Sequence, residues 1–327
     1  MAKIKEYDKI KVDYMLGDGK MKILLYTHVA DCDGATPAIL LKMVEKDVDV
    51  IYLDNAEVDI AINEGVASGL CNKYDQIYIT DISPNKEILD KIASTSLCKK
   101  IKIFDHHKSQ LFANDYDFAC VKIDDGVKKL SATSIFYDYL VQKYSSLNTK
   151  AIRQFVEVVR AYDTWDWQDA DVKMAKGLNR LFSIYGLQKF VEYYTHKLPT
   201  MDKFAFDDGE KLVLDVEENR IQMYIAEKDK QLKVVQGAGY RIGVVFADRY
   251  RSELGNALAE KHKDDIDMVA MIDCARSISM RSVKDNNINE FASLLGGGGH
   301  ARSCGVPISD LMRDEIINMV FLGKVKK

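Results

Sequence analysis

His28-Val29-Ala30-Asp31-Cys32-Asp33-Gly34 sets an imidazole and two carboxylates in one short stretch. Asp81, then Asp105-His106-His107, then Asp163 follow along the chain. Carboxylates gathered at one point repel each other strongly unless cations lie between them. Mixed oxygen and imidazole donors suit Mn2+, Fe2+, Co2+ or Zn2+ better than Ca2+. Two such ions bridged by a carboxylate make a phosphoester-cleaving site, since they lower the pKa of water and draw charge from a phosphoryl group. Each residue alone has a plainer role. An Asp after a strand commonly caps a helix or turns the chain, and a lone His packs or sits on the surface. The conjunction carries the weight: of the 6 histidines, His28, His106, His107 and His300 fall in these motifs or at a glycine run.

The flanking patterns show how these groups could meet. KILLYT (22–27), VDVIYL (48–53), QIYIT (76–80) and KIKIF (100–104) read as strands. Helical stretches are expected near 34–46, 84–94 and 131–144, with Pro84 in the first turn of the second and Ser131 capping the third. The expected class is α/β. An N-terminal domain (1–185) has a mostly parallel sheet flanked by helices, followed by a helical connector (186–235) and a smaller C-terminal α/β domain (236–327). Packing of the connector helices on the first domain is an equal alternative. Strands are expected in the last domain at 241–247, 267–272 and 277–283, with a helix at 252–263. Ligands in an open parallel sheet bind beyond the carboxyl ends of its strands. His28, Asp81 and Asp105 to His107 are therefore expected at one crevice, with Asp163 after the apolar run 155–162.

Composition narrows the function. The 327 residues are 47% hydrophobic and 29% charged, with a formal net charge of −4. That suits two ordinary domains with a core and argues against disorder. A coat for long nucleic acid is normally basic, so no long-nucleic-acid binding is expected. A short anionic substrate in a local pocket fits. The sequence has no apolar run of about 18 residues to span a membrane, and its charged first residues lack a signal-peptide core. The 6 cysteines are scattered without a Cys-x-x-Cys pair, which fits a reducing, cytoplasmic compartment rather than a disulfide framework or zinc site. Residues 31–36 also look like the nucleophile motif of haloacid-dehalogenase-like phosphatases, but Ala35 breaks that pattern and it does not call for His28 or Asp-His-His. An EF-hand is excluded because Thr36 stands where its glycine is required.

In order and spacing, these motifs together with Gly297-Gly298-Gly299-His300 resemble the DHH/DHHA1 phosphoesterase superfamily over nearly the whole chain. The finer resemblance, in TDISPN, DHHKS, LSATSIFYDYL, VRAYDTWDW, SELGN and GGGGHARSCG, is to its bacterial oligoribonuclease (nanoRNase B type) branch. Many relatives have one more residue between the first His and Asp. The resemblance implies that His28 and Asp31 hold one metal, that Asp33, His106 and Asp163 hold the other, and that Asp81 bridges. It implies a catalytic His107 beside the scissile phosphate, with Asp105 orienting its neighbours. The cofactor implied is two Mn2+ ions, with Mg2+ or Co2+ as substitutes. The C-terminal domain would grip a terminal phosphate or base through Arg281, Ser282, Gly297, Gly298, Gly299, His300 and Arg302, since arginine's fork and glycine-rich backbone both suit phosphate. Ser252 and Glu253 either join that grip or begin a helix. Trp165 and Trp167 either stack a base or pack, and packing is the preferred reading. The implied activity is hydrolysis of short RNA oligonucleotides to mononucleotides, with 3′-phosphoadenosine 5′-phosphate as a further substrate. A linear or cyclic dinucleotide phosphodiesterase and a RecJ-like single-strand exonuclease are the alternatives, and a regulator that binds nucleotides without turnover is the rival from another class. Homodimerisation fits such a fold.

Overall fold

The computed structural model describes residues 21–165 and 172–321. The charged N-terminal stretch and Trp167 lie outside the described residues. The chain divides into two compact units, Met1–Glu210 and Lys211–Lys327.

The first unit runs β1 (Lys22–His28), α1 (Cys32–Val44), β2 (Asp47–Leu53), α2 (Val58–Ala67), β3 (Gln76–Thr80), α3 (Lys86–Ala93), β4 (Ile101–Asp105), β5 (Ala119–Val121), α4 (Ala132–Lys143), α5 (Lys150–Asp163), α6 (Val172–Tyr185) and α7 (Leu187–Lys197). Its sheet is entirely parallel, in the order β2-β1-β3-β4-β5. Strands β1, β3 and β4 are largely buried and apolar because both faces are covered, while the edge strand β2 alternates Asp and Val at its start and is mostly part-exposed. Ile23 and Leu25 pack into one core with residues of α1, α4, α5 and α7, while Leu24 and Tyr26 join residues of α2 and α3 in the other. The chain leaves β1 for β2 on one side and returns to β3 on the other. The sheet therefore reverses direction between β1 and β3, and such a switch point opens a crevice beyond the strand ends. Two helix starts refine the expected positions. Asn85, not Pro84, begins α3, its Oδ1 accepting the Ile88 N–H at 3.1 Å. Ser131 caps α4 as expected, in a reciprocal pair with Ser134.

The second unit contains most of α8 (Asp208–Gln231), then β6 (Lys233–Gly237), β7 (Tyr240–Phe246), α9 (Arg251–Lys261), β8 (Met268–Asp273), β9 (Ser277–Arg281), α10 (Ile288–Leu294), β10 (Gly298–His300), β11 (Ser303–Pro307) and α11 (Asp310–Phe321). The stretch 186–235 is thus shared between the units, with α7 packed in the core of the first. The second sheet has the order β10-β11-β9-β8-β7-β6, with only β7 and β8 parallel. The glycine run thus becomes an edge strand rather than only a turn. A Cβ on Gly297 would lie 2.1 Å from the Gly305 carbonyl oxygen, and one on Gly299 would lie 2.6 Å from that of Ser303. No helix among the described residues is long and apolar enough to cross a membrane.

The joint between β1 and α1 tolerates no side chain at residue 34. A Cβ on Gly34 would meet the His28 carbonyl oxygen at 2.2 Å and its carbonyl carbon at 2.6 Å. Thr27 Oγ1 donates to the Gly34 carbonyl at 2.7 Å, and Thr80 Oγ1 donates to Thr27 Oγ1 at 2.8 Å, so the start of α1 is pinned to two strand ends. Gly34→Ala should cost about 1–3 kcal/mol or more of stability, as overpacked sites do, measured as a lowered urea midpoint in the metal-free protein.

Candidate metal centre

Each acid or imidazole of the motifs stands at the end of an element that aims it into the crevice. His28 ends β1 and Asp31 caps α1, its Oδ1 accepting the Gly34 N–H at 2.9 Å. Asp33 lies in the first turn of α1 and is 1% exposed. Its Oδ2 and Oδ1 accept the Ala132 and Thr133 N–H groups at 2.8 and 3.0 Å, so the start of α4 holds it. Asp81 follows β3 with a left-handed backbone, φ 62°, and its N–H donates to the Phe104 carbonyl at 3.0 Å. Few non-glycine residues adopt that conformation, and it gathers at functional sites. Asp105 ends β4, and Asp163 ends α5.

The side chains form two groups that share one carboxylate. His28 Nδ1 stands 3.3 Å from Asp31 Oδ2 and 3.4 Å from Asp81 Oδ2. His106 Nε2 stands 3.4 Å from Asp81 Oδ1, 3.3 Å from Asp163 Oδ2 and 3.8 Å from Asp33 Oδ2. Both groups are close enough to hold a metal ion. Ligands about 2.0–2.2 Å from a common ion stand about 3–3.5 Å apart at tetrahedral or octahedral angles. His106 Nε2 and Asp163 Oδ2 are buried with no hydrogen-bond partner among the described residues, and buried polar atoms normally have one. The donor set and its spacing fit divalent cations.

The electrostatics agree. Burial, with the charges of Asp81 and Asp163, pushes the Asp33 carboxyl well above its usual range. Burial lifts Asp163 to about 6, against the easing effect of His106. The Asp31 and Asp81 carboxylates raise His28 to about 10. Burial alone would lower His106, but Asp81, Asp33 and Asp163 together carry it to about 10. A metal-free cluster takes up protons where cations would otherwise sit.

His107 borders these groups, its ring close enough to Asp81 and His106 to share an ion with them, and Asp105 stands behind it. Asp105 is fully buried and saturated. Its Oδ1 accepts the backbone N–H groups of His106 and His107 at 2.7 and 3.0 Å, and its Oδ2 accepts the Ser83 hydroxyl at 2.6 Å. The same Oδ1 lies 2.7 Å from His107 Nδ1. That carboxylate raises the His107 pKa, and against the effect of burial the His107 and Ser83 hydrogen bonds in turn lower that of Asp105. Asp105 thus holds a half-exposed imidazole by Nδ1. Cys32 and Cys304 are buried thiols facing the carbonyls of Leu178 and Ile288, which is the packed role.

In the second unit, Arg281 pairs with Ser303 and Ser303 with His300 across three strands. Directly opposed residues share a face, so Arg281 and His300 flank Ser303, a residue with no motif signal of its own. Arg281 Nη2 donates to Ser252 Oγ at 3.4 Å. Ser252 is therefore a partner of the arginine and not the helix cap, a place taken by Tyr250. Gly298 opens onto free space. Arg302 is exposed and pairs with Asp285 at 2.9 Å. Ser282 turns inward: its buried hydroxyl lies 2.8 Å from the Asp267 carbonyl and 2.6 Å from Asn286 Oδ1. Trp165 is 77% exposed with φ 55°, so it is not a core residue.

The pKa directions give a testable profile for the chelated protein. His28 and His106 titrate near 10 when folded against 6.5 ordinarily, and Asp163 near 6 against 3.8. Each raised value means stability present at low pH and lost as pH rises, for Asp163 between about 4 and 6 and for the histidines between about 6.5 and 10. Asp31 is lowered, so its opposite contribution fades only below its ordinary 3.8. With chelator, the melting temperature should fall from about pH 6 to about pH 9, and Mn2+ should restore most at the upper end. A flat profile would count against the proton-loaded cluster.

No family model matches the chain. Oligoribonuclease NrnB of Bacillus subtilis (strain 168) is 35% identical over 296 residues, spanning 88% of this chain and 73% of that protein. Among solved structures, the DHH domain of a member of the s1p family of ribosomal proteins matches with a TM-score of 0.55 at 11% identity, over 94% of this chain and 88% of that one. Exonuclease RecJ bound to manganese matches with a TM-score of 0.49 at 16% identity, over 94% and 93%. The DHH-domain match shows a shared fold. Identity at the level of the Bacillus protein, sustained across most of both chains, shows more: this chain belongs to the DHH/DHHA1 phosphoesterase superfamily, in its oligoribonuclease branch, and is a phosphodiester hydrolase.

Proposed function

We propose that the enzyme degrades very short RNA to mononucleotides with two Mn2+ ions. His28, Asp31 and Asp81 hold one ion, and Asp33, His106, Asp163 and Asp81 hold the other. The observation that carries this reading is Asp81, whose two oxygens face the two separate imidazole groups at 3.4 Å each. Ions held there supply Lewis-acid polarisation of the phosphoryl group and water of lowered pKa. The name of the Bacillus relative, an oligoribonuclease, points to short RNA, and so does a net charge of −4, too little positive charge for a long polyanion.

The chain's own groups have separable tasks. His107, oriented through Nδ1 by Asp105, offers Nε2 to a phosphate oxygen or to the leaving ribose oxygen. The Asp105 carboxylate raises the His107 pKa, which favours the protonated ring and donation from Nε2. Arg281, with His300 and the glycines at 297–299 nearby on the same sheet, grips a terminal phosphate or base. Arg302 adds positive charge beside them, and Ser282 supports the turn after β9 from within.

The test is a time course with 5′-labelled RNA dimers to 24-mers, in Mn2+ and in chelator, beside Asp81→Ala. The shortest oligomers should disappear first, only with Mn2+, and not with the variant. Persistence of short RNA with folded, metal-loaded protein would overturn the reading, and turnover of cyclic dinucleotides or 3′-phosphoadenosine 5′-phosphate in its place would redirect it. Arg281→Met should raise KM for a dinucleotide about tenfold, the equivalent of about 1.4 kcal/mol, with kcat little changed.

A further inference from the structure

We infer that Arg160 is a positioning residue for one half of the metal centre, that of Asp33, His106 and Asp163; the inference rests on the metal-centre reading above. Arg160 heads the fully buried side chains by size. Its Nε and Nη2 donate to Glu157 Oε1 at 2.9 and 2.6 Å, and its Nη1 donates to the Lys129 carbonyl at 2.8 Å and to Thr164 Oγ1 at 3.3 Å. Lys128 Nζ meets Glu157 Oε2 at 2.5 Å. A planar guanidinium with several fixed donors thus straps the last turn of α5 to the segment leading into α4, a task a lysine cannot reproduce.

Those two places control the carboxylates of that half-site. Asp163 follows Arg160 on the same helix. Lys129 comes shortly before Ser131, the cap of α4. The first two N–H groups of α4 hold both oxygens of Asp33, and Thr133 Oγ1 donates to the Asp33 carbonyl at 2.8 Å. A slip of α4 against α5 would therefore change how Asp33 and Asp163 close on His106. The Thr80–Thr27–Gly34 chain at the ends of β1 and β3 pins the start of α1, which carries both Asp31 and Asp33. The strap between α4 and α5 is thus an additional support of the Asp33, His106 and Asp163 half.

The test titrates the metal-free full-length protein with Mn2+, counting free ion by electron paramagnetic resonance and binding heat by calorimetry. Wild type should take up two ions. Arg160→Lys should bind one with unchanged affinity and lose about 10–100-fold for the other, the usual effect of removing groups that orient metal ligands. Thr133→Val removes only the hydroxyl bond to Asp33 and should weaken the same ion by a smaller factor. It carries the test if Arg160→Lys does not fold, as judged by unfolding in chelator. Equal weakening of both ions, or undiminished binding in the folded variants, would overturn the inference. A wild type that takes up fewer than two ions would overturn the metal-centre reading and this inference with it.

Discussion

Repulsion among Asp31, Asp33, Asp81 and Asp163 is the constraint that the first unit is organised to contain. Two of these acids are all but buried, and the others are less than half exposed. The fold answers with positive potential from its own backbone. Asp31 caps α1, and the Asp33 carboxylate lies against the first turn of α4, where helix N–H groups and the helix dipole favour negative charge. A parallel sheet supplies this arrangement readily, because the helix after a strand begins at that strand's carboxyl end. His28 and His106 complete the balance, each set between carboxylates. The cluster is therefore tolerable without metal.

The parts legible in the sequence were those with a local signature. Apolar strands that run straight into Asp or His announced a parallel sheet and a candidate site at its carboxyl edge. The strands are found as β1, β3 and β4 with boundaries shifted by a residue or so. The haloacid-dehalogenase-like pattern at 31–36 was equally local, and it gives way because its rival draws on residues from the whole chain. What sequence could not show is support that arrives through backbone. The grip of α4 on Asp33 joins residues 99 and 100 positions apart and uses N–H groups that every residue type carries. Arg160 looked like any charged position in an amphipathic helix, and only its complete burial gives it away.

The second unit was less legible. Strand β6 is an edge strand with four of its five residues exposed, so no buried alternation marks it, and β10, two glycines and a histidine, lacks a strand's composition. Their pairing comes from neighbours, which is how tertiary context overrides weak strand propensity. The glycine run serves two ends at once. Gly297 and Gly299 let β10 lie against β11, while Gly298, two residues before His300, leaves the surface open beside the row of Arg281, Ser303 and His300. Ser282, one residue beyond Arg281, faces inward to hold its own turn, as the alternation of a strand dictates.

The crevice joins β1, β3, β4 and α5, elements drawn from residues as far apart as His28 and Asp163. An ion gripped there acts as a removable cross-link that closes long loops of chain, and links of that kind restrict the unfolded ensemble most. Occupancy then becomes a property of the whole unit. Loss of the ion would loosen the sheet's carboxyl edge across several elements at once, so that amide exchange and proteolytic nicking in this unit would track the supply of divalent cation as closely as turnover does.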